Sequence, residues 1–188
     1  MRATGTLLEE QEGDERALIE AARDGDARAF EKLLALHQNR VYRVLRLLGV
    51  PRGDRDDVAQ DTFLRIFRGL SGFTPGRRFD SWVYKISVNA AHDWREQSAK
   101  RSRDEAPWEA ARDDETPHAA PGAAERLELA RRLEAALALL SERERAVFVL
   151  VEMEGIDRRE VARTLGINGI TVRRHLSNAK ERLRRALS

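Results

Sequence analysis

Arg158-Arg-Glu-Val-Ala-Arg-Thr-Leu-Gly-Ile-Asn-Gly-Ile-Thr-Val-Arg-Arg-His-Leu-Ser-Asn178 decides how this chain folds. Val161, Ala162 and Leu165 fall at helical spacing, and Asp157 with Glu160 ahead of them matches a capping box, which satisfies free amides at a helix start. Gly166 stops that helix, since glycine enters the left-handed region without steric strain, and a tight turn through Ile167 and Asn168 follows. A second helix from about Gly169 places Val172, Leu176, Ala179, Leu183 and Leu187 on one side, with small Ala162 where the two helices must cross closely. The pattern is a helix-turn-helix. Its outward side carries Thr171, Arg173, Arg174, His175, Ser177, Asn178 and Lys180, groups that contact phosphates and base edges in a major groove. From Gly169 to Ser188 six basic residues face Glu181 alone, so this end attracts polyanions.

Upstream, Ser141 and Glu144 form a second capping-box pair, followed by Val147, Phe148 and Val151 as a buried face. A helix before it carries Leu129, Leu133, Ala136, Leu137 and Leu140. Between about Lys100 and Ala124 periodicity disappears, and Pro107, Pro117 and Pro121 fall among Ala, Asp, Glu and Arg. This predicts a flexible linker, 100–124, in which Trp108 is the one large apolar residue.

The N-terminal half is helical by the same reasoning. Leu18, Ile19 and Ala22 mark a short helix after Asp14. Asp26 caps a long one from about Ala27 to Leu48 that buries Phe30, Leu33, Leu34, Val41, Val44, Leu45 and Leu48 and stops at Gly49. A third begins near Asp54 with a stripe of Ala59, Phe63, Ile66, Phe67 and Leu70. The loop Ser71-Gly-Phe-Thr-Pro-Gly-Arg-Arg78 separates it from a fourth, about Asp80 to Ala99, burying Val83, Ile86 and Ala90. The predicted architecture is all-α: a flexible tail over 1–13, a helical domain over 14–99, the linker, and a second helical domain over 125–188.

Composition excludes several function classes. The 188 residues suffice for one ordinary domain or two small ones, too few for a large barrel enzyme. Hydrophobic residues make up 41% and charged residues 35%, with a net charge of +2, so a modest core lies inside an ionic surface. The absence of cysteine removes disulfides, thiolate catalysis, iron–sulfur clusters and most structural zinc sites. No apolar run reaches the roughly 18 residues that a membrane span needs, and a charge arrives too early for an export signal. A soluble, cytoplasmic protein is expected. His37, His92, His118 and His175 lack ligand spacing, so neither a metal nor a catalytic residue is expected.

Two further segments carry chemistry. Asp54-Arg-Asp-Asp-Val-Ala-Gln-Asp61 reads as helix-start carboxylates placed for dipole reasons, as a magnesium cluster, or as a protein-binding face on which Asp57, Gln60, Asp61 and Leu64 align. Periodicity alone does not choose. Trp82, Tyr84, Lys85, Asn89, His92, Asp93, Trp94 and Arg95 mix aromatic, amide and basic groups on one helix. That mixture suits unstacked bases of single-stranded nucleic acid, and it equally suits tryptophans that fill a small core.

Asp54-x-Asp-Asp-x-x-Gln-Asp-x-Phe-Leu-Arg65, Phe79-x-x-Trp-x-x-Lys-Ile-x-x-Asn-x-x-x-Asp93, Leu140-Ser-Glu-Arg-Glu-Arg-x-Val-Phe148 and the closing helix-turn-helix together resemble bacterial extracytoplasmic-function sigma factors. The resemblance spans nearly the whole chain in order, leaving out Met1 to Gly13. It implies two helical domains, the second and fourth sigma regions, that bind core RNA polymerase and the −10 and −35 elements of promoter DNA. It also implies control by an anti-sigma factor, with no cofactor and no small-molecule substrate. On it, the polymerase-binding surface falls on Asp54, Asp57, Gln60, Asp61, Phe63, Leu64 and Arg65. The −10 side falls on Phe73, Arg77, Arg78, Phe79, Trp82, Lys85, Ile86, Asn89 and Arg95, where the family holds a flipped base. The −35 side falls on Thr171, Arg173, Arg174, Ser177 and Lys180. After Asp93 the family usually has several basic residues, whereas this chain reads Trp94-Arg-Glu-Gln97. A rival reading, a dimeric DNA-binding regulator using only the C-terminal motif, leaves the first two blocks unexplained; a metal-dependent hydrolase, a more distant one, would show metal-dependent activity without polymerase.

Overall fold

The computed structural model describes residues 14–74, 78–104 and 123–187. Residues 14–23 form α1, followed by α2 (Ala27–Leu48), α3 (Arg52–Gly69) with a 3-10 turn at Leu70–Gly72, and α4 (Phe79–Asp104). Then come α5 (Ala123–Ala138), α6 (Glu142–Phe148) running into a π-helical segment at Val149–Met153, α7 (Arg158–Leu165) and α8 (Gly169–Leu187). The described residues contain no strand, and none of their helices is long and apolar enough to cross a membrane. The tail 1–13, Arg77, Trp108 and residues 105–122 of the expected linker lie outside the described residues.

Local chemistry sets the boundaries. The Asp26 carboxylate accepts from the Arg28 and Ala29 amides, and Gly49 closes α2 in the left-handed region at φ 92°. Ser141 and Glu144 complete their reciprocal box. The box expected at Asp157 is half formed: Asp157 accepts from the Arg159 amide, while Glu160 turns to Arg163 one turn on. Asn168, read from sequence only as a turn residue, caps α8 by accepting from the Thr171 amide at 2.7 Å. Helix α4 continues to Asp104, beyond the expected Ala99, because Lys100 to Asp104 contains no Gly or Pro and its cations suit a helix C-terminus. At the other side α5 already includes Ala123.

Two stripes differ from expectation. On α3 the buried residues are Val58, Ala59, Thr62 and Ile66, while Phe67 is 58% exposed and meets Phe30 of α2 edge-on at 5.0 Å. After α6, the Glu154 amide bonds the Val149 carbonyl, five residues back. That widened turn rotates the helix, burying Val149 and Leu150 beside Val147 and leaving Phe148 and Val151 only partly covered.

The two halves pack against each other. Val44, Leu45, Leu48, Val83, Ala90 and Ala91 share one core with Ala146, Val147, Leu150, Ile156 and Val161. A second cluster gathers Ala136, Leu137, Leu140, Val149, Ala179 and Leu183 around Leu47, which α2 inserts from the first half. Composition predicted the separating segment but not this closure across it.

Candidate nucleic-acid and polymerase interfaces

Helix α8 stands on the turn made by Gly166, at φ 64°, and on the Asn168 cap, with Val172, Leu176, Ala179 and Leu183 in the core. Arg173, Arg174 and Ser177 are exposed, and Thr171 is half-buried. Among the described residues neither arginine is engaged in an ion pair, so both guanidiniums are available to an outside anion. Lys180 is less free, since it meets Glu152 at 2.8 Å. Ile170, 70% exposed at the start of α8, went unremarked in the sequence because an isolated apolar residue off the buried stripe carries no periodic signal. Beside Thr171 it offers the apolar surface that a thymine methyl takes in the major groove.

The loop before α4 is held by aromatic packing. Phe73 and Phe79 are buried, with ring centroids 5.3 Å apart, and Trp82 lies 5.3 Å from the first and 5.5 Å from the second. Gly69 has no side chain because Trp82 packs against it: a Cβ there would stand 3.0 Å from the indole. These rings therefore fix the loop, whereas Arg78, Lys85 and Asn89 face solvent and Ile86 is half-buried. Arg95 turns away from solvent to donate to the Leu48 carbonyl at 2.7 Å and lies 3.3 Å from Glu142.

Helix α3 separates two clefts. One, between α2 and α3, is lined by Phe30, Leu34, Tyr42, Gln60, Phe63, Leu64 and Phe67. The other, toward α4, is lined by Asp54, Asp57, Asp61, Arg65, Asp93 and Trp94. Arg65 bridges Asp61 at 2.8 Å and Asp93 at 2.5 Å, and those carboxylates hold its guanidinium above its usual pKa. Asp57, Gln60, Asp61 and Leu64 follow one another at helical spacing along the ridge between the clefts, with Leu64 44% exposed. The ridge thus presents an apolar anchor among acids.

Near the same loop, His37 is buried and its Nε2 lies 2.7 Å from Glu15 of α1, with Asp80 facing Nδ1 at 3.5 Å. The three ligand atoms lie within 4.8 Å of one another. Asp80, however, accepts from Arg40, and Arg78 lies close by, which fills the cluster with cations. Its evident work is to tie α1 to α2 and α4.

Residues 33–101 match the Sigma-70 region 2 model and residues 130–183 the Sigma-70 region 4 model. Over 94% of its length the chain is 34% identical to the ECF RNA polymerase sigma factor SigM of Mycobacterium tuberculosis, covering 86% of that protein. This chain belongs to the extracytoplasmic-function sigma factors. It is also 29% identical to SigE of Mycolicibacterium smegmatis over 96% of the chain, spanning 66% of that longer relative. Its fold is similar to that of CnrH solved with the cytosolic domain of CnrY, at a TM-score of 0.70 and 31% identity, covering 93% of this chain and 97% of the other. The ridge of α3 and the α4 face of the sigma factor lie within the region 2 match, and the bare basic face of α8 lies within region 4.

Proposed function

We propose that this sigma factor binds core RNA polymerase through the α3 ridge, reads the −35 element with α8 and captures unpaired −10 bases on α4. The observation that carries the reading is the ridge itself. Leu64 stands exposed among Asp57, Gln60 and Asp61, a composition that suits an interface in which an apolar anchor is ringed by charges. A dimeric regulator that used only α8 would have no role for it.

On this reading Arg173, Arg174, Thr171 and Ser177 meet the major groove, with Ile170 added to the set and Lys180 at its edge. Lys85, Asn89, Ile86, Trp82 and Arg78 meet the separated strand, with Phe73 and Phe79 shaping the loop. The protein performs no chemistry of its own; polymerase does, and the two act together in the cytoplasm. An anti-sigma factor restrains it, a role that family membership supports. Two domains, 14–104 and 123–187, divide the tasks.

Run-off transcription with purified core polymerase and candidate promoters tests the reading. Specific transcripts that need both core and this protein support it. Promoter-specific binding that is equally strong without core would instead favour a regulator.

A further inference from the structure

Where the end of α2, the start of α3 and the flank of α5 meet, a shallow cavity of about 60 Å³ lies away from the residues given to polymerase and DNA. Arg46, Arg52, Arg55 and Arg131 line it, with Glu134 as the one acid. Four guanidiniums against one carboxylate leave the lining with an excess of three positive charges.

Helix stability does not account for that charge. Arg52 and Arg55 stand in the first turn of α3, the positive end of its macrodipole, where cations are disfavoured, and Pro51 supplies no side-chain cap there. The acids nearest in sequence turn elsewhere: Asp54 lines the cleft toward α4, and Asp56 meets Tyr42 in the cleft toward α2. Glu134 is shared. Its Oε1 lies 3.5 Å from Arg46 Nε, longer than a charge-assisted hydrogen bond, and it also supports the charge of Arg145, whose pKa burial lowers to about 10. Arg55 donates from Nη2 to the Val50 carbonyl at 3.2 Å, while its Nε is buried without a partner. A buried donor left unpaired costs free energy, which an incoming acceptor relieves.

The chemistry that answers such a site is a phosphate. Guanidiniums present planar forks of N–H donors that match phosphate oxygens two at a time. Size narrows the ligand further. The cavity is well below the roughly 300 to 1,000 Å³ that encloses a whole small molecule, so it takes a terminal diphosphate and leaves the remainder in solvent. With α5 on one side and α2 and α3 on the other, its walls admit the end of a molecule rather than a duplex backbone that must pass through.

We propose that this arginine cluster is a binding site for the terminal diphosphate of a free polyphosphorylated small molecule. Arg52 and Arg55 hold it from α3, Arg131 from α5 and Arg46 from the end of α2. The site draws on no residue assigned to polymerase or to DNA.

Inorganic pyrophosphate is the probe, titrated into the full chain in magnesium-free buffer of fixed ionic strength. Calorimetry should show saturable one-to-one binding, and the melting temperature should rise with occupancy. Arg52 and Arg131 are exposed, so Arg52→Glu and Arg131→Glu should fold, which circular dichroism checks. Each should weaken binding at least about tenfold, since each removes charge-assisted hydrogen bonds. Glu134→Gln, which removes the competing carboxylate, should bind pyrophosphate more tightly. The neutral variants Arg52→Gln and Arg131→Gln, with a smaller loss, serve where a charge reversal disturbs the fold.

Binding that does not saturate, or that is as tight in the Arg52 and Arg131 variants as in the parent, would overturn the proposal. So would a loss that appears in Arg173→Ala/Arg174→Ala instead, because the anion then sits on α8. If the reversals weaken binding of a random-sequence duplex and leave pyrophosphate binding intact, the cluster is a DNA backbone contact and the small-molecule site is refuted.

Discussion

Arg145 and Leu47 are 98 residues apart in sequence, yet the guanidinium of one donates to the carbonyl of the other at 2.7 Å. No carboxylate is bonded to this buried cation among the described hydrogen bonds; its anionic partner is the end of a helix.

Gly49→Ala should therefore do double damage. The residue has φ 92°, which L side chains rarely adopt, and its new methyl would collide with the guanidinium. A loss of about 1 to 3 kcal/mol in urea denaturation is expected. Unchanged stability would mean that the guanidinium has another place to go.

Asp61→Lys should weaken binding to core polymerase by at least about 2 kcal/mol, since it puts a cation beside the exposed Leu64 on the proposed docking ridge. It also removes one of two carboxylates from Arg65, which keeps Asp93. Affinity for core measured with circular dichroism checks this. Full affinity in a folded variant would refute the ridge as the docking face.

Arg173→Ala and Arg174→Ala should each weaken −35 binding by about 1 to 3 kcal/mol if a guanine edge is read, with specificity relaxed at one position. An arginine that meets only phosphate should instead weaken all sequences alike and flatten the salt slope. Binding titrations at several salt concentrations on point-substituted promoters distinguish the two. Full affinity and salt dependence in the double variant would remove α8 from the DNA.

Glu15 should make the docking of α1 acid-sensitive. The hydrogen bond from His37 lowers its pKa below the usual 4.5, against an opposing effect of burial, with the charges of His37, Arg40 and Arg78 assisting. A depressed carboxylate stabilises the fold fully above its unfolded pKa, and that contribution fades as pH falls through the folded one. Glu15→Gln should thus lower stability at neutral pH and flatten its decline below about pH 4.5. Parallel acid dependence in the two proteins would show that Glu15 takes no part.

The helices were legible because their signals are local. Asp26, Gly49, Ser141 with Glu144, and Gly166 each act within one turn, and each caps or ends a helix as read. Family membership was legible too, since four ordered blocks leave little room for coincidence. What escaped depends on distant partners. Phe67 matches the apolar spacing of α3 yet faces outward, because Thr62 takes a buried place by bonding the Val58 carbonyl at 2.8 Å. Glu142, Arg145 and Glu154 read as ordinary helix-surface charges, and nothing near them in sequence points to Arg95, Leu47 or Arg43. Helix α8 lies at the other extreme, with both its cap and its exposed arginines inside one short window.

The π-helical turn at Val149–Met153 has an effect that reaches past its own hydrogen bond. An α-helix advances by about 100° per residue, so one extra residue in a turn is a phase shift applied to everything downstream. Here the shifted segment ends at Glu154, whose carboxylate meets Arg43 and Tyr84. A chain with the same side chains but one residue fewer in that turn would carry the acid to a different azimuth. The mating of the two halves is thus a matter of helical registration as much as of charge, and it is keyed by a single residue of length.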